Sequence, residues 1–140
     1  EVNLKIGTIC LLLLVPASST AQELKPLEQA ILDGSEETYP IVRCASLFFS
    51  VLQWAGEDRL GKETAERTEQ TVGNLMDLAV SMREPALGKS AEESVIRDVQ
   101  TITVAYMTRY ERNYALVGEA FGQDEMWTAD RDLCVQLFGS

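Results

Sequence analysis

Histidine is absent from this 140-residue chain, and with it go the commonest general base, the commonest metal ligand and every Ser-His or Cys-His couple. Cations are scarce: 12 lysines and arginines face 22 aspartates and glutamates, a formal charge of −10. That balance argues against a nucleic-acid or anionic-membrane surface, since both need clustered Lys and Arg. The nine glycines are scattered and never form GxGxxG or GxxxxGK, so no phosphate-cradling loop is present. There is no CxxC, no CxxCH and no histidine-based zinc set, and neither a metal nor a cofactor is expected. Alternating runs with hairpin turns, the signature of strands, are missing too. Asn3, Asn74 and Asn113 all lack the Ser/Thr that would make them glycosylation acceptors, which favours a bacterial periplasm over a eukaryotic secretory route.

What is there begins with an export signal. Lys5 precedes ten uncharged, mostly apolar residues from Ile6 to Val15, followed by Pro16 and a small-residue run ending in Ala21. This is the three-part layout of a secretory signal peptide, with cleavage expected between Ala21 and Gln22. Ten residues of helix reach about 15 Å, half of a ~30 Å hydrocarbon core, too short for a membrane span. Cys10 lies inside the apolar run and not after it, a poor position for lipid attachment. The chain then divides into a signal peptide at 1–21 and a single helical domain at 22–140, periplasmic or secreted and free of the membrane once cleaved. Cleavage leaves two cysteines, Cys44 and Cys134, and two cysteines in an exported domain are most simply one disulfide.

The remaining sequence reads as all-α, four main helices plus a short N-terminal one. Pro26 opens the short helix and Gly34 closes it. The second runs from Pro40 to Gly56, and IVRCASLFFSVLQWA within it has only Arg43 and Gln53 as strongly polar members. A helix apolar nearly all round belongs at the centre of a bundle. The third, over 60–84, turns Val72, Leu75, Met76, Ala79 and Met82 inward and is broken by Pro85 and Gly88. Its charges form a solvated face, with Glu63 four residues ahead of Arg67.

Ser90 and Glu93 form a capping-box pattern that opens the fourth helix, and capping accounts for the adjacent Glu92 and Glu93 without catalysis. That helix continues through Val117 and Phe121, with a bend near Gly118 and Gly122 as its cap. A last helix carries Leu133, Cys134, Leu137 and Phe138 inward.

Tyr106, Tyr110 and Tyr114 stand four apart on the fourth helix, flanked by Arg109 and Arg112. Two readings apply. Tyr and Arg anchor many interfaces, which makes the five residues a candidate recognition stripe. Tyr at this spacing also describes a core-facing ladder whose hydroxyls reach the core's rim. Tyr39, Arg43 and Trp54 are candidates to lie against it.

The segments YPIVRCASLFF and ERNYALVGEAFGQDEMW resemble those of short exported helical proteins of bacteria, in families with no activity attached. In outline the chain also resembles periplasmic immunity proteins and inhibitors, small helical domains with one disulfide. These resemblances imply export and a helical domain; architecture does not carry function. The reading that follows is a periplasmic, non-catalytic interaction or binding protein with a protein partner in the envelope. The alternatives are an envelope protein acting as a homodimer, and a hydrolase working with carboxylates alone.

Overall fold

The computed structural model describes residues 23–139; the predicted signal peptide, with Cys10 and the Ala21–Gln22 cleavage site, lies outside them. The described chain is all-α. A short helix α1 (Leu27–Leu32) is followed by α2 (Tyr39–Leu60), α3 (Lys62–Leu87), α4 (Ala91–Val117) and α5 (Glu125–Phe138), with a 3₁₀ turn at Gly88–Ser90.

Long-range pairs give the directions. Arg83, near the end of α3, reaches Thr38 just before α2 and Ser94 and Asp98 at the start of α4. So α3 runs against both. From α5, Trp127 meets Tyr110, Asp130 meets Arg43, and Cys134 is bonded to Cys44. So α5 runs against α4 and, since Tyr110 meets Ser50 while Cys134 is joined to Cys44, against α2 as well. The central element is α2, which packs on α1, α3, α4 and α5. Its residues Ile41 to Leu47 are buried without interruption, as an apolar all-round helix requires. The core around it gathers Leu27, Val42, Cys44, Ala45, Ala79, Val95 and Cys134, all at 1% exposure or less.

Several boundaries differ from the sequence expectation. Gly56 does break α2, at φ 66° and ψ 175°, a conformation open to glycine, yet the helix resumes as far as Leu60. Pro85 does not end α3, which runs on to Leu87. Pro85 and Ser81, the residue whose carbonyl it leaves without its helical donor, are both exposed, so the proline strands no backbone group in the core. The capping box does not form: the Ser90 hydroxyl donates to the Leu87 carbonyl, and its backbone already has helical angles. And α4 stops at Val117, because Gly118 takes the left-handed conformation (φ 75°, ψ 8°) and its N–H returns to Tyr114; Gly122 plays no part.

Two inward assignments also fail. Met82 and Leu137 are 36% and 47% exposed, and on α3 the buried neighbour is Arg83. A charged residue takes that position because it finds four partners there: Thr38, Ser94, Asp98 and Glu36. Finally, the Cys44–Cys134 disulfide is formed, both residues wholly buried, and it joins α5 to the central helix.

Candidate binding groove and the buried network behind it

Arg43 sits in the middle of the most apolar helix and has no solvent exposure. Burying a guanidinium requires that its donors be met. Four of its five N–H groups are. Nε donates to the Tyr106 hydroxyl at 2.6 Å and Nη1 to the Tyr39 hydroxyl at 2.8 Å. Nη2 donates both to the Lys25 carbonyl at 2.9 Å and to Asp130 Oδ2 at 2.6 Å. Asp130 is equally committed: Oδ2 also accepts from Tyr106 at 2.7 Å, and Oδ1 accepts the Leu27 backbone N–H at 2.8 Å, at the start of α1.

The electrostatics follow from that packing. Burial opposes the charge on Arg43, but Tyr106 and Asp130 outweigh it and its pKa lies above the ordinary value. Burial pushes the Tyr106 hydroxyl well above the ordinary phenol range.

Two further clusters sit near this one. Tyr110 is buried, shares a hydrogen bond with Ser50 and accepts from the Trp127 indole, both at 2.8 Å. Burial raises its pKa to about 12. At the α4–α5 corner, Asp124 accepts from Arg109, Asn113 and the Trp127 backbone N–H, capping α5. Burial works to raise the Asp124 pKa, but the Arg109 bond and the two other donors hold it below the usual carboxylate value.

The five residues of the candidate stripe are therefore not one surface. Tyr106 and Tyr110 are fully buried, so the recognition reading is corrected for both: their rings pack with Leu47 and Trp127 and their hydroxyls serve the interior. Arg109 is half-buried and held by Asp124. Only Arg112 and Tyr114 lie on the surface, Tyr114 at 55% exposure with an edge-on contact to Trp54. Of the companions expected beside the stripe, Arg43 does touch Tyr106, and Trp54 touches Tyr110. Asp130, the partner that makes Arg43 burial possible, was not singled out by sequence reasoning. A signal for it did exist: it stands one helical turn before Cys134, and Arg43 precedes Cys44.

The network backs a groove. Between the segment Glu23–Lys25 and α4 lies an apolar hollow of about 600 Å³. Leu24, Tyr39, Ile102, Val104 and Ala105 form its apolar surface, and the polar residues Glu23, Lys25, Gln100 and Thr101 also line it. Positions 101, 102, 104 and 105 share one helical face, which is why α4 presents a continuous wall. Arg43 holds two parts of this groove from behind, the Tyr39 hydroxyl and the Lys25 carbonyl. Ligand sites of this size, apolar with a few fixed polar groups, are common between the helices of bundles.

A second hollow, about 520 Å³, lies at the α4–α5 corner and includes Glu119, Asp124 and Glu125. Asp124 is bound there as an anion, the reverse of what a general acid requires. Among the described residues no three Asp, Glu or Cys side chains are grouped to hold a metal ion, and no helix is long and apolar enough to cross a membrane. No family model, curated protein or solved structure matches the chain.

Proposed function

We propose that this chain is an exported, non-catalytic binding protein of the bacterial envelope, and that it takes a small, mainly apolar molecule in the groove between Glu23–Lys25 and α4. The observation that carries the reading is the groove itself: about 600 Å³, lined by Leu24, Tyr39, Ile102, Val104 and Ala105, and braced by a fully buried arginine. A rigid brace lowers the ordering cost of binding, which is what a preformed site offers a ligand. Val104 is 61% exposed, an apolar side chain left uncovered at the wall. Export is supported by the signal-like segment at 4–21 and by a disulfide, which persists in oxidising compartments.

The test has two parts. Protein recovered from the periplasm should begin at Gln22 by mass; an intact N-terminus in the membrane fraction overturns export. Titrated with N-phenyl-1-naphthylamine, an uncharged apolar fluorophore, the recovered protein should brighten the dye saturably. Ala105→Trp, which fills the groove, should abolish that signal while the thermal melt stays cooperative. Equal dye binding by both proteins overturns the groove.

A further inference from the structure

The polar groups of this groove are not equally available. The Thr101 hydroxyl donates to the Arg97 carbonyl of its own helix at 2.9 Å. The Lys25 ammonium donates to Asp33 at 2.8 Å, an ion pair that offsets its charge. Glu23 and Gln100 are exposed side chains. Tyr39 differs from all of them. It is half-buried, and its hydroxyl oxygen accepts from Arg43 Nη1 at 2.8 Å. With the acceptor side engaged by a cation, that hydroxyl is oriented as a donor, and its proton has no acceptor among the described residues.

Charge narrows the ligand further. Both charged side chains on the groove are already paired, Lys25 with Asp33 and Glu23 with Arg112 at 3.9 Å, and the chain as a whole carries −10. An anionic headgroup would meet that field without a counter-charge of its own. A neutral acceptor meets a fixed donor and no repulsion.

Building on the groove reading above, we infer that Tyr39 is its specificity-determining residue, with Arg43 as the positioning residue, and that the site selects uncharged apolar molecules bearing a carbonyl oxygen. Leu24, Ile102, Val104 and Ala105 take the apolar body, and the Tyr39 O–H donates to the carbonyl.

A matched pair of dyes tests this on the protein recovered from the envelope. The first is 6-propionyl-2-dimethylaminonaphthalene, neutral and carbonyl-bearing, whose emission moves to the red when its carbonyl accepts a hydrogen bond. The second is N-phenyl-1-naphthylamine, neutral and without a carbonyl. In Tyr39→Phe the ratio of the two affinities should fall roughly five- to tenfold against the carbonyl dye, the loss of one hydrogen bond. Emission of the bound carbonyl dye should move to the blue in the same variant. If both dyes weaken together and the ratio holds, Tyr39 only supports the fold and the inference is overturned. An unmoved ratio with unmoved emission overturns it equally, while saturable binding of the second dye would leave the groove reading standing. Failure of both dyes to bind the unaltered protein removes reading and inference together.

Discussion

Arg43 and Asp130 stand 87 positions apart in the chain and 2.6 Å apart in the fold, with neither side chain exposed to solvent. Each also holds other groups, so the pair is the centre of a network that links α2, α4, α5 and the start of α1. Removing one partner strands the other charge in the interior. Asp130→Asn should cost about 3–5 kcal/mol by urea unfolding. The double variant Arg43→Met with Asp130→Leu should lose clearly less than the sum of its single variants, because the second change removes the charge the first leaves stranded. Additive losses would show that the pair acts as two separate residues.

The disulfide reinforces the same pairing of helices. Cys44 and Cys134 close a loop of 90 residues, for which chain entropy gives about 4.5 kcal/mol. Cys134→Ser should lower the melting temperature markedly and speed amide exchange in 125–138 before the rest of the bundle. Two titratable free thiols in protein taken from an oxidising compartment would contradict the bond.

Tyr110 separates a core role from a surface role. Its ring packs edge-on with Trp54 and Phe121, and its hydroxyl meets Ser50 and Trp127. Tyr110→Ala should therefore destabilise by roughly 3 kcal/mol or more, as truncating a buried aromatic does. Tyr114→Ala, at an exposed position, should cost under about 1 kcal/mol. Comparable losses in the two melts would place both rings in one environment.

Alkali should unfold the protein through the same tyrosine. Burial raises the Tyr110 pKa to about 12 from the ordinary 10.0, so the folded chain holds that proton more tightly than the unfolded chain. The associated stability is fully present below pH 10 and disappears as pH rises from about 10 through 12, a loss on the order of 2–3 kcal/mol. Tyr106, raised in the same direction by burial, adds to it. Urea midpoints measured across that range should fall steeply, and a flat profile would contradict the burial of both hydroxyls.

Thr103 offers a gain. Its hydroxyl is buried and has no hydrogen-bond partner, with the residue 4% exposed. An unmet buried hydroxyl costs about 1–3 kcal/mol. Thr103→Val keeps the shape and removes that cost, so it should raise stability by about 1 kcal/mol in urea unfolding. A loss instead would mean the hydroxyl is satisfied in solution.

The helices were legible where periodicity and stop signals agree: α2 as the all-round apolar element, α3 through Val72, Leu75 and Ala79, and the pairing of Cys44 with Cys134. Errors fell where two local signals compete. Ser90 and Glu93 spell a capping box, but the chain enters α4 through a 3₁₀ turn that already directs Ser90 to Leu87. Gly118 and Gly122 both suit a helix end, and the choice of Gly118 frees Ala120 and Phe121 to pack beside Trp127. The tyrosine spacing carried no information on which rings are covered. That depends on how far α5 extends along α4: Trp127 and Asp130 lie opposite Tyr110 and Tyr106, while Tyr114 lies beyond them.

By itself the sequence determined the all-α class of the described residues, their central helix and the Cys44–Cys134 disulfide, because hydrophobic period, proline and glycine placement and cysteine count are properties of local strings. Tertiary structure alone decided that Arg43 lies in the interior and not on a surface, that Asp130 is its partner, and that Tyr39 and Lys25 are held at the edge of a groove. Those facts depend on residues brought together from positions 25, 39, 43, 106 and 130, and a charged side chain tolerates burial only where such distant partners converge. Spacing along one helix does not encode that convergence; the packing of α5 against α2 and α4 creates it.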